Sequence, residues 1–169
     1  MRVPIRPVIL VLLSLSQATL AQEELRNWFN DPFIRLTAGD AGCPVPAGPF
    51  VNEKERLAQS HRRAEKGTTA WLAGEADRPK AYAYDADIAA ALTEKFRNGK
   101  RFAGSSVWAT VQGRVVYLEG CIAKESEAQG LDEVARSVPF VQQVITIVRT
   151  DKQAQVPYRV MPPAPVRTQ

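Results

Sequence analysis

The chain is short of the residues from which most active sites are assembled. Its 169 residues include one histidine, His61, and two cysteines, Cys43 and Cys121. There is no Cys-x-x-Cys pair, and a lone histidine with two isolated cysteines makes no metal-ligand set. No nucleophile stands beside a base in a recognisable pattern, so the residues point to no enzyme, no cofactor and no small-molecule substrate. Glu119 and Asp132 read as surface charges rather than as an acid–base pair. Long apolar runs are equally scarce. The run Val8–Leu15 falls well short of the ~20 residues that span a bilayer, and no second one follows it. A strong excess of charge is missing too. The formal net charge is +4, and it drops to +2 without residues 1–21, which hold two basic and no acidic residues. A dedicated nucleic-acid binder needs a basic face or stripe, so nucleic acid is excluded as a partner.

What is present begins with an export signature. Arg2 and Arg6 precede the short apolar run, and Thr19 and Ala21 supply the small residues that a signal peptidase reads. The pattern predicts a signal peptide over residues 1–21, cleaved between Ala21 and Gln22, and a periplasmic mature protein. In an oxidising compartment two lone cysteines favour a Cys43–Cys121 disulfide. Two separate buried thiols are the other reading.

The strongest local pattern is Val107–Ile122. Val107, Ala109 and Val111 alternate with Trp108 and Thr110, then a tight turn at Gln112-Gly113-Arg114 leads into a second alternating arm. In that arm Val116, Leu118, Gly120 and Ile122 share one face, and Tyr117, Glu119 and Cys121 the other. Period two around a glycine turn predicts a β-hairpin. Upstream, Asp85 to about Arg97 carries an apolar stripe at Ile88, Ala89, Leu92 and Phe96, the mark of an amphipathic helix. Downstream, Glu125–Val138 repeats the pattern with Leu131, Val134, Ala135 and Val138 before Pro139. Val141–Val148 is β-branched and reads as a third strand.

Ahead of this run, residues 22–80 form a Pro/Gly-rich extension with a helix near 52–66. Asn52 and Glu55 make a capping-box pattern, and Gly67 stops the helix. His61 is expected to be partly covered on that helix. Residues 151–169 contain Pro157, Pro162, Pro163 and Pro165, and predict a disordered Pro-rich tail.

The order helix, strand, strand, helix, strand over 81–150 resembles a BON domain, a module of osmotically induced periplasmic proteins and of envelope channels and secretins. The resemblance is carried by Asp87-Ile88, Leu92, Val107–Val111 with Gly113, Val116–Ile122, Leu131, Val134-Ala135, Val138-Pro139, Val141 and Val144. It implies an α+β fold, αββαβ, in which a three-stranded sheet carries both helices on one face. Two departures stand out. The hairpin turn is one residue longer than usual, and Phe140 occupies a position where the family usually has glycine.

A sheet with both helices on one face leaves Trp108, Tyr117 and Cys121 on the other. The last strand is apolar on both sides, which predicts cover on both. Asp31–Gly48, and with it the Asn52 helix, is expected to lie over this second face, pinned by Cys43–Cys121. Such a closed loop stabilises by roughly 4 kcal/mol in the chain-entropy model. If uncovered, Trp108 and Tyr117 would form a partner face. The resemblance further implies a non-enzymatic envelope binding module that attaches to anionic phospholipid or another envelope component under osmotic or envelope stress. The alternative is a structural adaptor that docks an envelope protein. Residues suited to lipid attachment are Lys95, Arg97, Lys100, Arg101 and Phe102, a basic-aromatic turn.

Overall fold

The computed structural model describes residues 24–97 and 100–163. The expected signal peptide and its cleavage point lie outside the described residues. The elements, in chain order, are β1 (Phe33–Arg35), α1 (Glu53–Glu65), α2 (Thr68–Leu72), α3 (Asp85–Arg97), β2 (Ser106–Gln112), β3 (Val115–Cys121), α4 (Glu127–Arg136) and β4 (Gln143–Arg149). Short 3₁₀ turns at Ala81–Tyr84 and Lys100–Phe102 flank α3.

The hairpin forms as its alternation requires. β2 and β3 pair antiparallel with Val107 opposite Gly120, Ala109 opposite Leu118 and Val111 opposite Val116. The turn closes in two residues, Gly113 and Arg114, with φ of 59° and 68°. Two successive left-handed residues make a type I′ turn, whose twist suits a hairpin. Gly120 is needed for a different reason: a Cβ there would sit 2.1 Å from the carbonyl oxygen of Ser106. β4 then pairs parallel with β3, from Val115–Gln143 to Cys121–Arg149. A parallel return requires a crossover, and α4 supplies it.

Both α3 and α4 pack on the same sheet face. Ile88, Leu92 and Phe96 from α3 meet Val107, Ala109, Val111, Val116, Leu118 and Ile122 from the hairpin, and Leu131 and Ala135 from α4 complete the cluster. Ile88, Leu92, Leu118 and Leu131 are fully buried. Each such side chain contributes roughly 1.5–3 kcal/mol of hydrophobic stabilisation. Truncating Leu118 to alanine at the centre would cost about 2–5 kcal/mol through the cavity it leaves.

The sheet is wider than expected. Instead of three strands it has four, in the order β1-β2-β3-β4. The added strand comes from the N-terminal extension, with Phe33 opposite Thr110 and Arg35 opposite Trp108. Three residues are too few to display a period of two, and Pro32 beside them reads as a breaker. The α+β class is unchanged.

The second face is covered, and two segments cover it. Residues 40–51 cross it, and the disulfide between Cys43 and Cys121, with Cα atoms 5.8 Å apart, fastens them to β3. The segment expected as a disordered tail returns to the same place. Pro46 and Val160 form an antiparallel bridge, and Ala47 N–H donates to Arg159 O at 2.7 Å, as Met161 N–H does to Val45 O at 2.9 Å. Tyr158 is buried, and its hydroxyl donates to Pro44 O at 2.9 Å. Proline richness had suggested disorder, but one buried tyrosine and two main-chain bonds are enough to order 156–161. Beyond the strap, Ile145 and Ile147 on β4 remain half-buried.

α1 begins as its capping box dictates, with Asn52 Oδ1 accepting from Glu55 N at 2.8 Å and Glu55 reaching back to Asn52 N. It buries no residue. Its attachment is polar: Arg63 forms a forked pair with Asp31, which also accepts from Gln112 Nε2 at 2.7 Å. His61, expected to be partly covered, is exposed instead and lies 3.6 Å from Glu65.

Candidate functional site

The residues singled out for lipid attachment divide in two. Lys95 and Arg97, in the last turn of α3, are exposed, as are Lys100 and Arg101 in the following 3₁₀ turn. Cations at a helix C-terminus complement its dipole, so their position has a structural reason as well. Arg97 is paired with Glu94 at 2.5 Å. Arg101 lies along α4, where its guanidinium occupies the space beside Gly130. Phe102 does not belong with them. It is 3% exposed and stacks on Phe96 at 5.5 Å within the core, so it cannot face a bilayer.

The expected partner face is likewise reassigned. Trp108 is buried against Cys43, Cys121 and Phe33, with the Arg35 guanidinium 4.8 Å above its ring. Tyr158 closes the assembly, its hydroxyl 3.5 Å from Cys43 Sγ. Trp108 is therefore packing under the strap. Tyr117 remains half-buried and lines a small groove of about 210 Å³ with Gly48, Thr110, Gln112 and Glu119. Burial holds the Glu119 carboxyl above the ordinary carboxylate range, and the charge of Arg159 only partly opposes this.

A feature missed in the sequence lies at the hairpin-tip end of the sheet, opposite the basic end of α3. A cavity of about 280 Å³ is bounded by α1, the 3₁₀ turn before α3, and the ends of β2, β3 and β4. Arg62, Arg63, Lys66, Tyr82, Gln112, Tyr117 and Gln143 are among its walls, and among the described residues no carboxylate is. Lys66 is half-buried, and desolvation pulls its amine below the usual lysine range against the attraction of Asp85. Burial also raises the Tyr82 phenol. No signal in the sequence brings residues 59–66, 82, 112–117 and 143 together; only the folded chain does.

Among the described residues no group of three His, Cys, Asp or Glu is placed to hold a metal ion. Among the same residues no helix is long and apolar enough to cross a membrane.

An α-β-β-α-β run with both helices on one sheet face defines a small α+β module whose polar residues lie at its two ends. Residues 84–151 match the family model of the BON domain, a stretch that is under half of the chain's length. No curated protein and no solved structure matches the chain. BON domains occur in envelope-associated proteins that are often periplasmic, and the family is generally non-enzymatic.

Proposed function

We propose that the protein is a non-enzymatic envelope binding module that attaches to an anionic phospholipid surface and serves envelope maintenance under osmotic or envelope stress. The observation that carries this reading is the BON domain over residues 84–151. The cystine between Cys43 and Cys121 suits an exported protein, since such bonds persist in oxidising compartments. The attachment point is the exposed basic end formed by Lys95, Arg97, Lys100 and Arg101. Each cation near an anionic leaflet contributes about 1 kcal/mol, and salt weakens the attraction.

The test is co-sedimentation of the full chain with anionic and neutral vesicles at low and moderate salt. Salt-sensitive binding to anionic vesicles alone is expected, reduced about tenfold or more when Lys100 and Arg101 are both made glutamine. Equal binding to both vesicle types, or none to either, would sink the reading. A protein-docking adaptor is the second reading, favoured by β4, an edge strand with half-buried Ile145 and Ile147. In that case crosslinking from β4 in envelope extracts recovers one dominant partner, and vesicles recover nothing.

A further inference from the structure

The cavity at the hairpin tip has features that the lipid reading does not use. Gly113 makes room for it: a Cβ there would lie 3.0 Å from Lys66 Cδ, 3.1 Å from Lys66 Nζ and 3.1 Å from Tyr82 Cζ. Lys66 and Tyr82 therefore lie together against the bare turn, with the ammonium 6.0 Å from the Tyr82 ring centre. Arg63 also lines the cavity but is committed to Asp31. Lys66 and Arg62 have no carboxylate within ion-pair distance among the described residues, although Lys66 is half-buried. A second cavity of about 260 Å³ shares Lys66 and is lined by Arg78 and Arg114, again without a carboxylate.

We propose that the cavity beside Lys66 binds a soluble phosphate monoester carried on a hydroxylated, sugar-sized body. Two cations without an ion-pair partner among the described residues, Lys66 being attracted by Asp85 only at longer range, match the double charge of a phosphate monoester better than the single charge of a carboxylate. The guanidinium of Arg62 offers a fork of donors and Lys66 a point charge, the two ways proteins hold phosphate oxygens. The remaining walls are amides and phenols, Gln59, Gln143, Tyr82 and Tyr117, which exchange hydrogen bonds with hydroxyl groups in either direction. An apolar ligand would find little to contact, and a volume near 280 Å³ accommodates a single sugar ring. The site lies at the opposite end of α3 from the basic residues assigned to the membrane. The helix start is bonded to the hairpin tip and its thirteen residues extend away from it, some 18 Å at 1.5 Å per residue. The two sites are thus separate, and this inference stands without the lipid reading.

The experiment is calorimetric titration of the full chain with glucose 6-phosphate and with glucose, at low salt and neutral pH. Glucose 6-phosphate is expected to bind saturably and glucose not to bind. Arg62→Gln and Lys66→Gln are each expected to weaken the sugar phosphate about tenfold, as loss of a charge-assisted hydrogen bond does. Arg62 is exposed, so its variant keeps the wild-type melting temperature and separates binding from folding. The double variant Lys100→Gln, Arg101→Gln keeps full affinity. No saturable binding of glucose 6-phosphate overturns the proposal, as does affinity lost at Lys100 and Arg101 but untouched at Arg62 and Lys66. Neither result bears on the vesicle experiment.

Discussion

The carboxylate of Asp85 holds both amides of the hairpin turn, accepting from Gly113 N at 2.6 Å and from Arg114 N at 2.8 Å. Asp85 is also the first residue of α3, so one buried side chain joins the start of the helix to the tip of the sheet. It compensates a strained choice. Arg114 sits at φ 68°, which a residue with a Cβ adopts at a cost of about 1–2 kcal/mol.

Asp85→Ala is therefore expected to cost about 2–4 kcal/mol, because two amides of the turn lose their acceptor in a protected place. Asp85→Asn, which keeps one acceptor oxygen, should cost less. Urea unfolding of the two variants checks the order, and losses below about 0.5 kcal/mol in both would show that the bonds matter little.

Phe140 poses the same strain without a carboxylate to relieve it. It too lies at φ 68°, the backbone angle that a glycine would meet freely. Its carbonyl accepts from Arg114 Nε at 2.8 Å, and its ring lies 5.1 Å from that of Tyr84. Phe140→Ala loses the ring and keeps the strain, whereas Phe140→Gly loses the ring and relieves it. Glycine is expected to be the more stable of the two by about 1 kcal/mol. Thermal melts of the pair decide it.

The strap over the second face depends on Tyr158 and the cystine together. Tyr158→Ala removes a buried ring and its bond to Pro44, at an expected cost of about 3 kcal/mol. Reducing the disulfide opens a link between residues 78 positions apart, and about 4 kcal/mol is expected to go with it. Denaturation with and without reductant measures the second effect. A midpoint indifferent to reductant would mean that the strap holds by packing alone.

Glu119 gives a pH dependence with a definite sign. Its folded pKa lies above the ordinary 4.5 because burial disfavours the charge. The folded state therefore holds the proton more tightly, and stability falls as pH rises from below 4.5 through the folded value. Asp85, raised by burial from 3.8, acts in the same direction. Glu119→Gln removes the part due to Glu119. It is expected to raise the melting temperature by about 1–3 °C at pH 7 and by nothing near pH 3.5. A gain that persists at pH 3.5 would have another cause.

How much of this was legible depended on how locally each feature is encoded. The hairpin and the stripes of α3 and α4 are written in consecutive residues, and Val107, Leu118, Ile88 and Leu131 face the core as their spacing requires. The cover over Trp108 and its fastening by Cys43–Cys121 followed from a strand apolar on both sides and from the cysteine count. β1 was not legible, since Phe33–Arg35 gains its strand form only by pairing with β2. Residues 156–161, within the expected tail, were misread because their neighbouring prolines are visible in the sequence and the partner of Tyr158 is not. Phe102 shared a basic neighbourhood with Lys100 and Arg101, yet the turn that exposes them directs its ring inward against Phe96. The cavity at Lys66 draws on four separate segments, so no window of sequence contains it.

The pairing of Cys43 with Cys121 also determines where the protein can be cut. A fragment beginning at residue 84, where the family match starts, would lack half of the cystine, the strand beside β2 and the peptide over Trp108. It would carry a free thiol, a bare tryptophan and an open strand edge on one surface, the combination that drives intermolecular pairing. The folding unit is therefore larger than the recurring module inside it, and dissection at the module's edges would yield an aggregation-prone piece rather than a smaller version of the protein.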